Sequence, residues 1–177
     1  RHTRYIGDWS SDVCSSNLDG RSLGVLFADL DGFKAVNDTF GHATGDEVLR
    51  QVAARLGACV ASGDLVARLS GDEFTVILPG RTAAELDRVG RRLVRALERP
   101  FLVDGQRLSV SGSVGAVLYP QDGADADTLT RHADAAMYRA KADGRNCLRF
   151  YDPVMERELH GRQALLHALK RSEEHTS

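Results

Sequence analysis

No apolar run in the sequence reaches the roughly eighteen residues a membrane span requires, and the first twenty residues lack the basic, apolar and small-residue zones of a secretory leader. A cytoplasmic protein without direct membrane contact is therefore expected. Cysteine is scarce, with three residues at positions 14, 59 and 147. They form no metal-type spacing and cannot build a disulfide framework, which fits a reducing compartment. Surplus charge is also missing: 23 Lys plus Arg stand against 25 Asp plus Glu, a net charge of −2 that gives no electrostatic reason for a nucleic-acid or anionic-membrane partner. Internal repeats and low-complexity linkers are absent from residues 19–170.

The 42% hydrophobic content of 177 residues suits one core of ordinary domain size. Neither end contributes to it. Segment 1–18, which holds the only Trp, and tail 171–177 follow neither a strand nor a helix period, and both read as non-native segments similar to translated adapter DNA. The expected domain spans residues 19–151, followed by a connector helix over 152–170.

Leu23 to Leu30 reads as a buried strand that delivers Asp29, Leu30 and Asp31 at its end, where α/β sheets place ligands. Phe33 to Phe40 is a short helix closed by Gly41, and Asp46 to Val60 repeats Val48, Val52, Leu56 and Val60 at helical spacing. Two short strands, Asp64 to Leu69 and Phe74 to Leu78, flank the turn Ser70-Gly71-Asp72-Glu73 as a hairpin. Thr82 and Glu85 have capping-box form ahead of a helix with Leu86, Val89, Leu93 and Leu97 on one face. Strands Phe101 to Val103 and Leu108 to Leu118 follow, the latter with close packing through its small residues. A helix over Asp125 to Lys141, a strand over Cys147 to Tyr151 and a helix from Pro153 complete the reading. The order predicts an α/β (α+β) domain with one mixed sheet covered by helices.

Three acids can converge: Asp29 at the end of the first strand, with Asp72 and Glu73 in the hairpin turn. Like charges gathered without a cation are costly, and oxygen donors from two carboxylates and the Leu30 carbonyl suit Mg²⁺. The plainer alternative is that turns and strand ends are rich in Asp. Lys141 and Arg145 around Gly144 can clamp a triphosphate, or can simply complement a helix C-terminus. Asn37 and Asp46 together can satisfy the edge of guanine, while Asp46 alone can be a first-turn helix acid. His42 reads as a structural or capping residue.

The blocks Phe27-Ala28-Asp29-Leu30-Asp31-Gly32-Phe33-Lys34, Asn37-Asp38-Thr39-Phe40-Gly41-His42, Gly45-Asp46, Ala67 to Phe74, Ser113-Val114-Gly115 and Ala133 to Lys141 with Gly144-Arg145-Asn146 together resemble the GGDEF domain of bacterial diguanylate cyclases. The resemblance covers about residues 22–151 in order. It implies a ferredoxin-like fold similar to nucleotide cyclase and polymerase palm domains. It further implies condensation of two GTP to cyclic di-GMP and two pyrophosphates across a homodimer, with Mg²⁺ or Mn²⁺, two ions per half-site. The implied catalytic residues are Asp29, Asp72 and Glu73, with metal held by Asp29, Leu30, Asp72 and Glu73. Substrate binding is implied for Asn37, Asp46, Phe33, Gly71, Lys141 and Arg145.

Three departures qualify the match. Ser70 stands where the signature has its first Gly, so a strained or shifted turn and a lowered rate are expected if that position needs positive φ, with activity surviving because Ser is small. The family's inhibitory Arg-x-x-Asp motif becomes Ala61-Ser62-Gly63-Asp64, so no tight product inhibition through that site is expected. The family's N-terminal helix is missing, while Phe150 to Met155 looks like the connector into an EAL phosphodiesterase domain. The alternative function is therefore a GTP-binding regulatory domain controlling an adjoining EAL domain.

Overall fold

The computed structural model describes residues 22–155 and positions 157, 158, 160, 161 and 164. In chain order the elements are β1 (Leu23–Asp31), α1 (Phe33–Phe40), α2 (His42–Ala58), β2 (Leu65–Ser70), β3 (Glu73–Pro79), α3 (Ala83–Glu98), β4 (Phe101–Val103), β5 (Gln106–Leu108), β6 (Ser111–Tyr119), α4 (Ala126–Ala142) and β7 (Leu148–Phe150). The main sheet has the order β2-β3-β1-β6-β7. β1 runs antiparallel to both β3 and β6, and β7 joins β6 in parallel. Strands β1, β2, β3 and β6 with their intervening helices form the ferredoxin-like β-α-β-β-α-β unit, and α4 with β7 extends it.

The period of β1 separates two cores. Leu26, Ala28 and Leu30 face α1, α2 and α3 with Phe33, Val48, Val52, Leu56, Leu86 and Leu93. Leu23, Val25 and Phe27 face α4 with Leu129, Ala133 and Met137. A strand covered on both faces must be apolar throughout, so the first charge along β1 falls where the second cover ends, at Asp29. α4 lies against β6 at Gly115, where an added Cβ would meet the Ala133 carbonyl oxygen and the Met137 backbone nitrogen. Only a residue without a side chain lets the helix come this close.

Several local expectations hold. Thr82 accepts from the Glu85 N–H, and Glu85 accepts from the Thr82 N–H, a complete capping box. The β2-β3 hairpin is present, with a register shift between Arg68 and Ser70. Others need correction. The second helix begins at His42 rather than Asp46, because Gly41 (φ 87°) separates it from α1 with a single residue. The predicted strand Leu108 to Leu118 is divided: Asp104 and Gly105 both have positive φ, as a tight hairpin turn requires, and they fold Gln106–Leu108 back on Phe101–Val103 as a separate ribbon. The helix expected from Pro153 is present through Met155, and most of its remaining length lies outside the described residues, as do segments 1–18 and 171–177.

Candidate active site

Register carries two of the predicted acids to one place. Asp29 on β1 stands directly opposite Glu73 on β3, and the next residue, Leu30, donates its N–H to the Asp72 carbonyl at 3.2 Å. Opposed residues of an antiparallel pair project to the same face, here the face covered by α4. From the last turn of α4 the Lys141 ammonium reaches Asp29 Oδ1 at 2.9 Å. Burial raises the Asp29 carboxyl above the ordinary aspartate range; Lys141 opposes the rise, and the Asp72 and Glu73 charges add to it. An acid strained in this way favours any additional cation. Helix-dipole complementarity does not by itself account for Lys141, whose charge is spent on a carboxylate 112 positions away in the chain.

The donor chemistry suits a hard divalent cation, since carboxylate oxygens and a main-chain carbonyl are the available ligands. It is a partial shell rather than a cage. Among the described residues no group of three or more His, Cys, Asp or Glu is gathered closely enough to hold an ion. Each acid is turned to its own partner, Asp29 to Lys141 and Glu73 to the Ser70 hydroxyl, which donates to Glu73 Oε2 at 2.8 Å. Mg²⁺ commonly takes one or two carboxylates and leaves the rest of its shell to water and substrate phosphates.

Of a strained and a shifted turn, the structure shows the shifted one. Positive φ falls on Gly71 (44°), and Ser70 is not among the left-handed residues. The irregularity after Arg68 moves the conformational demand one residue along, and the Arg68 Nε–H donates to the Gly71 carbonyl at 2.8 Å to close the turn. Ser70 is therefore accommodated without backbone strain. It changes the site by giving Glu73 a hydrogen-bond donor.

Asn37 and Asp46 flank the junction of α1 and α2. Asn37 Oδ1 is buried without a hydrogen-bond partner among the described residues. It lies against Gly45, where an added Cβ would collide with it. The absent side chain of Gly45 lets Asn37 Oδ1 pack against α2, and a buried acceptor left without a partner there is a candidate for a ligand N–H. Asp46, next to Gly45, is exposed and lies beyond the first helical turn, which removes the helix-dipole explanation for it. The Phe33 ring is packed in the core at 6% exposure, beneath this junction. His42 is exposed as the first residue of α2 and makes no capping hydrogen bond.

After α4, Arg145 and Asn146 both adopt left-handed backbone, with φ of 64° and 47°. The Arg145 N–H donates to the Ala140 carbonyl at 3.0 Å, which holds the start of this turn against the end of α4, and the Arg145 Nε stands 4.0 Å from Asp31 Oδ1. Two further acids were given no role of their own from the sequence. Asp31 lies one pleat beyond Asp29, and Asp134 on α4 is raised by partial burial with Glu73 adding to the shift. Both lie in segments that the sequence marks, but their partners come from other elements and only the fold brings these together.

Asp64, the surviving residue of the inhibitory motif, faces inward. Its side chain is 4% exposed, accepts from the Ala61 N–H at 2.8 Å and pairs with Arg81 at 3.3 Å. Asp64→Ala is expected to cost about 1–3 kcal/mol by leaving the Ala61 N–H without its acceptor and Arg81 with the longer 3.8 Å contact to Glu85. The same substitution is expected to leave cyclic di-GMP affinity unchanged. Thermal melts and product titration by calorimetry check the two halves.

The family described as "Diguanylate cyclase, GGDEF domain" matches residues 11–147. The chain is 42% identical over 154 residues to the bifunctional diguanylate cyclase/cyclic di-GMP phosphodiesterase MucR of Pseudomonas aeruginosa, covering 87% of this chain and 22% of MucR. To the cyclic di-GMP phosphodiesterase NbdA of the same organism it is 39% identical over 134 residues, covering 76% of this chain and 17% of NbdA. It thus spans about a fifth of the length of these curated relatives. A solved GGDEF domain of YfiN (TpbB) from Pseudomonas aeruginosa superposes with a TM-score of 0.80 at 38% identity, covering 87% of this chain and 91% of that one. The sheet order is thereby that of the nucleotide cyclase palm-like fold, and the chain belongs to the GGDEF diguanylate cyclase family.

Proposed function

We propose that this domain condenses two GTP molecules into cyclic di-GMP with release of two pyrophosphates. The observation that carries this reading is the apposition of Asp29 and Glu73 across β1 and β3 with Lys141 arriving from α4. Each of two facing domains would hold one GTP. The 3′-hydroxyl oxygen of one nucleotide bonds to the α-phosphorus of the other and gives up its proton to solvent, the bond from that phosphorus to the bridging oxygen breaks, and pyrophosphate leaves; the same step in reverse roles closes the ring. Asn37 and Asp46 hold the guanine edge, and Lys141 and Arg145 hold the phosphates. Asp29, Asp72 and Glu73, with the Leu30 carbonyl, would hold Mg²⁺ or Mn²⁺, which would supply charge to acidify the attacking hydroxyl and to offset charge on the phosphoryl group. The protein's own contribution is orientation and fixed electrostatics.

Purified protein with GTP and Mg²⁺ is expected to form cyclic di-GMP, read by chromatography. No product even after fusion to a dimerising coiled coil overturns the cyclase reading. A second reading is a GTP-binding regulatory domain beside a phosphodiesterase domain, reached through the segment after Phe150. It is favoured by the Ser70 hydroxyl on Glu73 and by the phosphodiesterase activity named for NbdA. Both readings bind GTP, and turnover separates them.

A further inference from the structure

The second carboxylate of β1, Asp31, is surrounded by donors. Its side chain is 6% exposed, yet it receives the Ser113 hydroxyl at 2.8 Å, the Ser111 hydroxyl at 3.0 Å and the Asn146 backbone N–H at 3.2 Å, with Arg145 Nε at 4.0 Å. Two donors come from β6 and two groups come from the turn after α4. Asp31 thus ties that turn to the neighbouring strand across a separation of 115 positions.

The tied turn is itself unusual. Arg145 and Asn146 are consecutive non-glycine residues in the left-handed region, a conformation that persists only where the surroundings hold it. The carbonyl of the next residue, Cys147, accepts from Val114 at 2.9 Å, so the segment is gripped on both sides of the strained pair. Asp31 is saturated with donors, while Asp29, two residues earlier, pairs with Lys141 and has two acidic neighbours among the described residues. The two acids of one strand therefore stand in opposite electrostatic situations. One attracts a cation and the other is already satisfied by two hydroxyls and a main-chain amide, with a guanidinium 4.0 Å away.

We infer that Asp31 is a positioning residue: it ligates no ion, and it holds the strained Arg145–Asn146 turn so that the cations of the phosphate clamp stay in place. This inference rests on the proposed GTP-binding role of that clamp. Three readouts test it on Asp31→Asn in the intact chain: calorimetric titration with Mn²⁺ alone, titration with the unreactive α,β-methylene analogue of GTP in Mg²⁺, and amide hydrogen exchange at Asn146.

Asp31→Asn is expected to leave Mn²⁺ affinity within about twofold, to weaken the analogue about tenfold or more, and to speed Asn146 exchange at least about tenfold. Asp29→Asn, in contrast, is expected to abolish Mn²⁺ binding. Loss of Mn²⁺ binding in Asp31→Asn makes it a ligand and overturns the inference, as does parental analogue affinity with parental exchange. If Asp31→Asn does not fold, Ser113→Ala removes one donor and no charge. It is expected to move analogue affinity and exchange in the same direction by about threefold, and no movement overturns the inference. An analogue that fails to bind the parental protein counts instead against the proposed function, while the exchange measurement still decides the structural half.

Discussion

Gly115→Ala is expected to destabilise the domain by at least about 3 kcal/mol, lowering the melting temperature by roughly 6–12 °C. A single methyl has this effect because the atoms in its way are main-chain. The new Cβ would stand 2.5 Å from the Met137 nitrogen and nearer still to the Ala133 carbonyl oxygen, with the Ala136 carbonyl carbon at 3.1 Å. A flexible side chain could turn away, but a helix must move as a body. Moving α4 pulls Leu129, Ala133 and Met137 off Val25, Phe27 and Val117, which opens the smaller core. It also carries Lys141 away from Asp29, so GTP affinity is expected to fall together with stability. Gly57→Ala is the control. Gly57 lies in α2 with open space around its would-be Cβ, and alanine there is expected to stabilise by about 0.5–1 kcal/mol. Thermal melts of the two variants test opposite signs of the same chemical change, and a Gly115→Ala protein that melts with the parent would remove the close approach from the account.

What the sequence made legible was what neighbouring residues decide. The Thr82–Glu85 capping box, the apolar period of α3 and the uninterrupted apolar run of β1 each follow from contacts within a turn or from cover on both faces. The acidic end of β1 and the acids of the β2-β3 turn were also legible, because a sheet that pairs β1 with β3 has nowhere else to put them. Errors arose where distant contacts or a register irregularity intervened. Ser70 escapes strain because the shift after Arg68 passes the left-handed position to Gly71. Asp31 looked like one more acid in an acidic strand end until Ser111, Ser113 and Asn146 converged on it from other elements. Arg81 could not be assigned to Asp64 from spacing, since their meeting depends on where β3 returns the chain.

Asp29→Asn is expected to lower the rate of cyclic di-GMP formation by at least about a thousandfold while leaving the fold intact or stabilised. Both halves follow from one environment. Removing one preorganised electrostatic group from an active site typically costs about 10²–10³ in rate, and Asp29 would serve both metal binding and the placement of Lys141. Its side chain is only 13% exposed and its carboxyl is raised by burial, with Asp72 and Glu73 adding to the rise. A folded-state pKa above the unfolded value means that ionised Asp29 weakens the fold at neutral pH, and this penalty fades as pH falls through the folded value. Asparagine imitates the uncharged acid at every pH. In EDTA the variant is therefore expected to melt at or above the parental temperature near neutral pH, with the difference shrinking under acid conditions. Loss of turnover with a preserved melt assigns Asp29 to the chemistry, because damage to the fold would move both. A variant retaining a tenth of the parental rate would place the cation elsewhere, and a melt well below the parent would mean that the Lys141 pair holds the structure rather than waiting for a ligand.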